Sequence, residues 1–223
     1  MIPTTETQIR QTRRAAAAFI VASAATAVAG AVLFLGLQPS TDLSDDMWRY
    51  PWESSGAFVA FSIFSAFLHG LVILGLLAFG RSGAAGRSRS ASRGVALAVA
   101  GTALLLVGEL LSIPIRDART DDTSATIVGG TVFGVAGVLS TIGFLVLGRA
   151  TLRAGLWHGW RRYTPLATGV WLCAMYVTFA FPTLLHGMVG VYGLCLLAMA
   201  IALYTDPAPA PAGDVGELQP QRA

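Results

Sequence analysis

The sequence predicts an all-α fold: a polytopic membrane helix bundle of six transmembrane helices, with the N-terminus and the C-terminus cytoplasmic. Three observations carry that expectation. The 223 residues are 54% hydrophobic and only 12% charged, about half the charged share of an ordinary soluble domain. Several stretches of about twenty residues hold no charge at all, the length that crosses ~30 Å of hydrocarbon as a helix. The basic residues also gather in alternate loops, as the positive-inside rule requires.

Reading along the chain, the cytoplasmic segment 1–14 carries Arg10, Arg13 and Arg14. The first span follows at 15–37. Its small triplet Ala22, Ser23 and Ala24 resembles a signal-cleavage site, but the apolar run continues to Leu37, longer than a signal core of about 7–15 residues. The second span is read at 57–79, the third at 95–115 and the fourth at 125–147. From Pro165 to Tyr204 no residue carries a formal charge, a stretch of about two membrane thicknesses as helix. Pro182 and Thr183 divide it, because proline removes a backbone donor and disfavours helix in the residue before it. Spans at 165–181 and 184–204 result. The remaining tail, 205–223, is rich in Pro and Ala, too poor in large apolar side chains to pack, and is expected to be disordered.

The loop charges set the orientation. Arg81, Arg87, Arg89 and Arg93 lie between spans two and three, and Arg149, Arg153, Arg161 and Arg162 between spans four and five. With the N-terminal three and Arg222, they place 12 of the 15 basic residues on one side. The other side holds Arg49, Arg116 and Arg119 among Asp42, Asp45, Asp46, Glu53, Asp117, Asp121 and Asp122. These acids lack the ordered spacing of a calcium loop and read as a solvated face. Trp157, Trp160 and Tyr163 are expected at the inner interface, and the segment 47–52 at the outer one. The Gly- and Ser-rich residues 80–88 read as a flexible basic linker attracted to anionic lipid, since a phosphate loop would need a lysine and a preceding strand.

Composition also bounds the chemistry. All 15 basic residues are Arg, with neither Lys nor Asn anywhere. There is thus no Schiff-base amine and no N-glycosylation acceptor. This bias, with the Ala and Gly load, suggests a GC-rich bacterial genome and hence a bacterial plasma membrane. The net charge of +3 is explained by orientation, and no basic recognition module points to nucleic acid.

One acid, Glu109, lies within a span, where an unpaired charge costs at least ~2.5 kcal/mol. Helical spacing puts it on a stripe with Thr102, Leu105, Ser112 and Arg116. His69, mid-way along the second span on a face with Ser62 and Ser65, is its expected companion, at a depth about 6 Å different. Such a pair can share a proton, catalyse, or serve as a structural hydrogen bond. His186 begins the last span and completes a possible outward-facing polar site. No His or Cys spacing signals a metal, and no cofactor is implied. His158 belongs to the basic interfacial loop. Cys173 and Cys195 read as interior thiols at similar depth. Gly130, Gly134, Gly137 and Thr141 form a small-residue face suited to helix contact, with a second copy or a partner membrane protein. A shift of 68 residues aligns Gly75 with Gly143, Gly80 with Gly148 and Gly101 with Gly169, which hints at a parallel repeat of helical hairpins.

Residues 153–166 (Arg-Ala-Gly-Leu-Trp-His-Gly-Trp-Arg-Arg-Tyr-Thr-Pro-Leu), together with 101–109 (Gly-Thr-Ala-Leu-Leu-Leu-Val-Gly-Glu), resemble uncharacterised multi-span membrane proteins of actinobacteria. The resemblance implies a helical membrane protein and brings no activity with it. Three functional expectations stand. The first is a non-enzymatic subunit, sensor or scaffold. The second is a small permease or proton- or ion-coupled transporter using Glu109 and His69. The third is an intramembrane enzyme acting on lipid or isoprenoid.

Overall fold

The computed structural model describes residues 5–207, so Arg222 and nearly all of the tail lie outside it. The described residues are helical almost throughout: α1 (Thr5–Val32), α2 (Ser55–Ser82), α3 (Arg89–Ser112), α4 (Thr123–Thr126), α5 (Gly134–Ala154), α6 (Thr164–Met175) and α7 (Leu185–Thr205). A π-helical turn, Leu33–Leu37, prolongs α1, and another, Ile127–Phe133, joins α4 to α5. Helix ends follow local chemistry. The hydroxyls of Ser54 and Ser88 accept from the amides of Ala57 and Ala91 and so cap α2 and α3. Gly83 and Gly155 take left-handed conformations (φ 79° and 64°) that stop α2 and α5.

Five helices are long and apolar enough to cross a membrane: Glu6–Ser40, Ser55–Ser82, Arg89–Ser112, Thr123–Ala154 and Pro182–Thr205. The span expected at 165–181 is shorter. Its α-helix α6 has 12 residues, about 18 Å, after which the chain tightens to a 3₁₀ turn at Tyr176–Phe179 and breaks before Pro182. It nevertheless returns to the far end of α1, where the Gln38 side-chain amide donates to the Thr183 carbonyl at 2.8 Å. The segment expected as a separate cytoplasmic 1–14 is, from Thr5 onward, the first turns of α1 itself.

The helices form a closed ring. In order α1, α2, α3, α5, α6, α7, each packs on its chain neighbour, and α7 packs back on α1. Glycines set the closest approaches. A Cβ at Gly94 would strike Leu147, one at Gly101 would strike Ser140, and one at Gly108 would strike Phe133. These glycines recur every seventh residue and meet residues spaced by seven on the partner, so the α3–α5 register holds over about 21 Å. The α1–α7 seam works the same way, with Gly30 against Gly190 and Gly193 against Ala27. Close backbone contact of this kind drives helix association where lipid removes the hydrophobic incentive. The proposed repeat is matched in part: Gly75 and Gly143 each meet the preceding helix of the ring, but Gly101 meets the following one and Gly169 the preceding one.

One end of the ring carries the arginine-rich turns. Its interior is filled by Phe19, Phe79, Phe144, Trp157, Leu147 and Met199, all under 2% exposed. Trp157 is thus a core plug rather than an interfacial anchor. It stands edge-on to Phe79 at 5.2 Å and donates to the Asp206 carbonyl at 3.3 Å. Trp160 and Tyr163, by contrast, are exposed at that end. Residues 80–88 form an ordered turn instead of a flexible linker, because Ala84 and Ala85 insert into the core and the Gly86 amide bonds the Gly83 carbonyl at 2.7 Å. Outside, Val28, Leu35, Phe67 and Val170 are more than half exposed, an apolar surface that suits lipid.

The other end is closed by a cap. The 41–54 and 113–122 loops pair through an antiparallel bridge between Met47 and Arg119, with the Trp48 amide on the Ala118 carbonyl and the Thr120 amide on the Asp46 carbonyl. The acids here are not simply solvated. Arg49 and Arg116 both reach Asp117, at 3.2 and 3.4 Å, and Arg119 joins Asp46 and Asp121. Trp52 stacks obliquely on Phe61 of α2, and Trp48 lies against Phe133 and Gly129. The aromatic segment therefore packs inward on the bundle.

Candidate functional site

His69 and Glu109 come from neighbouring helices and from faces that meet. Gly80 of α2 lies against Val95 of α3, which sets the register of that antiparallel pair. His69 precedes Gly80 by eleven residues, three helical turns, and Glu109 follows Val95 by fourteen, close to four turns. Both therefore issue on the α2–α3 seam. Counting away from the Gly80 contact, Glu109 falls level with Ala66, three residues or about 4.5 Å beyond His69.

Their helices pack on one another, but the two side chains are not bonded. No hydrogen bond or ion pair links the Glu109 side chain to His69 or to any other described residue. The Nδ1 atom of His69 is buried, with no partner beyond the backbone of Ser65 one turn earlier on its own helix. Ser62, two turns earlier on the same face, has a buried hydroxyl that also lacks a partner. An unpaired polar group at such depth is costly, because the surrounding lipid offers nothing to replace water.

The rest of the expected stripe divides. Ser112 is buried and donates to the Gly108 carbonyl at 2.9 Å, and Thr102 donates to Ala98 at 2.8 Å. These bonds stay within α3 and satisfy the hydroxyls where they stand. Arg116 lies past the end of α3, in the cap, with its guanidinium on the Ile113 carbonyl and on Asp117. His186 belongs to another seam. Its carbonyl faces Gly30 of α1, and α7 packs on α1 and α6 while α3 packs on α2 and α5. Its Nδ1 atom too is buried and unpartnered. Among the described residues no cluster of three His, Cys, Asp or Glu side chains could hold a metal ion.

Three buried polar atoms escape the sequence reading, the Gln38 Oε1, the Ser140 hydroxyl and the Tyr192 phenol, none with a hydrogen-bond partner. The seven-residue glycine spacing of α3 is the signal that points to Ser140, which it meets at Gly101. Cys173, expected inside, is exposed, and Cys195 is half-buried; both are free thiols. On the small-residue face, a Cβ at Gly130 would meet nothing within 4 Å, and one at Gly134 only the Gly129 carbonyl at 3.8 Å. Gly137 instead looks toward the Tyr176 hydroxyl at 3.7 Å.

These features define an all-α, multi-pass membrane helix bundle with a sparse polar seam. Compared with known protein families, with curated proteins and with solved structures, the chain matches none.

Proposed function

We propose that the protein is a non-enzymatic subunit, sensor or scaffold of a bacterial plasma membrane, docking another transmembrane helix on the Gly130 and Gly134 face. One contrast carries this reading. Glycines on the other seams, such as Gly94, Gly101, Gly148 and Gly190, are occupied by a neighbouring helix of the same chain, whereas a Cβ at Gly130 would meet nothing within 4 Å and one at Gly134 only the nearby Gly129 carbonyl of its own segment. A small-residue face brings backbones close, and here the described residues supply no backbone to meet it. In this reading the chain crosses six times, and the arginine-rich end faces the cytoplasm together with the N-terminus and the C-terminus. Gly130→Leu with Gly134→Leu tests it by native mass spectrometry after gentle detergent extraction. The wild-type chain should carry a second copy or a partner that the double variant loses. A wild-type chain found strictly alone would refute the reading.

A second reading, a proton- or ion-coupled permease, is favoured by the placement of Glu109 and His69 on one seam, with no side-chain ion pair for either. Glu109→Gln should then preserve the fold and abolish proton-dependent uptake in reconstituted vesicles. Uptake that persists unchanged would remove Glu109 from the mechanism.

A further inference from the structure

The two ends of the bundle treat their arginines differently. At the capped end Arg49, Arg116 and Arg119 each hold an acid. At the other end none of the described arginines makes an ion pair, and the only described acids are Glu6 and Asp206. Two grooves open there. One, of about 440 Å³ between α1 and α7, holds its own acid, Glu6, beside Arg10, Arg13 and Arg14. The other, of about 410 Å³ between α2 and α3, holds no acid at all.

That second groove has two chemically distinct parts. Arg81 and Arg87 stand at its mouth with Ser88 and Ser92, all exposed, and neither guanidinium makes an ion pair or hydrogen bond with another described residue. Leu77, Val95, Ala96 and Val99 line the part that runs along the helices toward the membrane interior. The ordered turn fixes this shape, since the buried Ala84 and Ala85 anchor it and left-handed Gly83 and Gly86 turn the chain between the two helices.

We propose that this groove is a binding site for one anionic phospholipid, with its phosphate between Arg81 and Arg87 and an acyl chain along Val95, Ala96 and Val99. Guanidinium forks suit phosphate oxygens, and a basic cluster beside a transmembrane helix attracts acidic headgroups. The apolar wall selects a lipid over free phosphate, because burying chain methylenes against it adds binding that a bare anion cannot have. The absence of an acid distinguishes this groove from its neighbour. The orientation proposed above serves only to name the leaflet, which is the inner one.

The test uses the purified full chain in detergent, titrated with dioleoyl phosphatidylglycerol or dioleoyl phosphatidylcholine, with bound lipids counted by native mass spectrometry. The glycerol lipid should be retained and the choline lipid not. Arg81→Gln with Arg87→Gln should lower the number of tightly held lipids by one and weaken that site roughly thirtyfold, the worth of two basic groups at an anionic surface. Ala96→Trp, which fills the apolar wall and leaves the charge alone, should lose the same lipid. Arg116→Gln in the cap should lose none. Equal retention of both lipids, an unchanged count in the double variant with native melting, or displacement by inorganic phosphate at equal concentration would each overturn the proposal. The oligomer measurement above reads a different face, so either result can fail alone.

Discussion

Gly101 brings α3 so near α5 that an added Cβ would lie 2.6 Å from the Ser140 amide nitrogen and 2.8 Å from the Ala136 carbonyl oxygen. Backbone atoms cannot yield as the tip of a long side chain can. Gly101→Ala should therefore destabilise the bundle by about 1–3 kcal/mol, the range for overpacking a tight contact, measured as detergent thermal unfolding. Gly130→Ala, with open space around it, should change the same melting temperature little. If Gly101→Ala melts like the native chain, the α3–α5 contact is looser than described. At this scale the sequence exposes some roles and hides others. Glu109 stands out because it is the one acid inside a span, and its placement near His69 follows from helical periodicity plus one contact, Gly80 on Val95. Trp157 gives no such warning. Its neighbours Trp160, Arg161 and Arg162 carry the pattern of an interface, and only the fold turns this one indole inward against Phe79. Trp157→Ala should accordingly cost about 3–5 kcal/mol, whereas Trp160→Ala should cost far less. Comparable losses would return Trp157 to the interface.

Among the elements, the cap and α6 depart most from what the chain reveals on its own. The acids and arginines of the two cap loops are far apart in sequence, and they pair because α2 and α3 bring the loops together. Asp117 accepts from Ser55 at 3.0 Å and pairs with Arg49 and Arg116. Its side chain is 57% exposed, so each pair is worth less than about 1 kcal/mol. Asp117→Asn should therefore leave global melting nearly unchanged and speed amide exchange at Trp48 and Thr120, which hold the bridge. A large drop in melting temperature with unaltered exchange there would mean that the cap carries core stability. For α6, apolar composition suggests a full-length span, but composition does not report pitch. The 3₁₀ turn at Tyr176–Phe179 and the break before Pro182 shorten the α-helical part to 12 residues. The boundaries of α2 and α3 differ from the apolar runs 57–79 and 95–115, because Ser54 and Ser88 cap the helices ahead of those runs and left-handed Gly83 ends α2 beyond the first of them.

For the whole molecule, the charge asymmetry predicts a topology that labelling can test. In a chain with Cys173 and Cys195 replaced by Ala, Thr120→Cys should react with a membrane-impermeant maleimide on intact cells, and Ser88→Cys only after lysis. The reverse pattern would invert the bundle and move the proposed phospholipid groove to the outer leaflet. The chain by itself determined the membrane class, the helical content, most span positions and the sorting of charge, because hydropathy, helix period and loop charge are local or summed quantities. Tertiary structure alone decided the ring closure of α7 on α1, the inward turn of Trp157, the paired cap and the acid-free groove. Each joins residues distant in sequence, and contact between such residues depends on helix register and rotation, which composition does not encode.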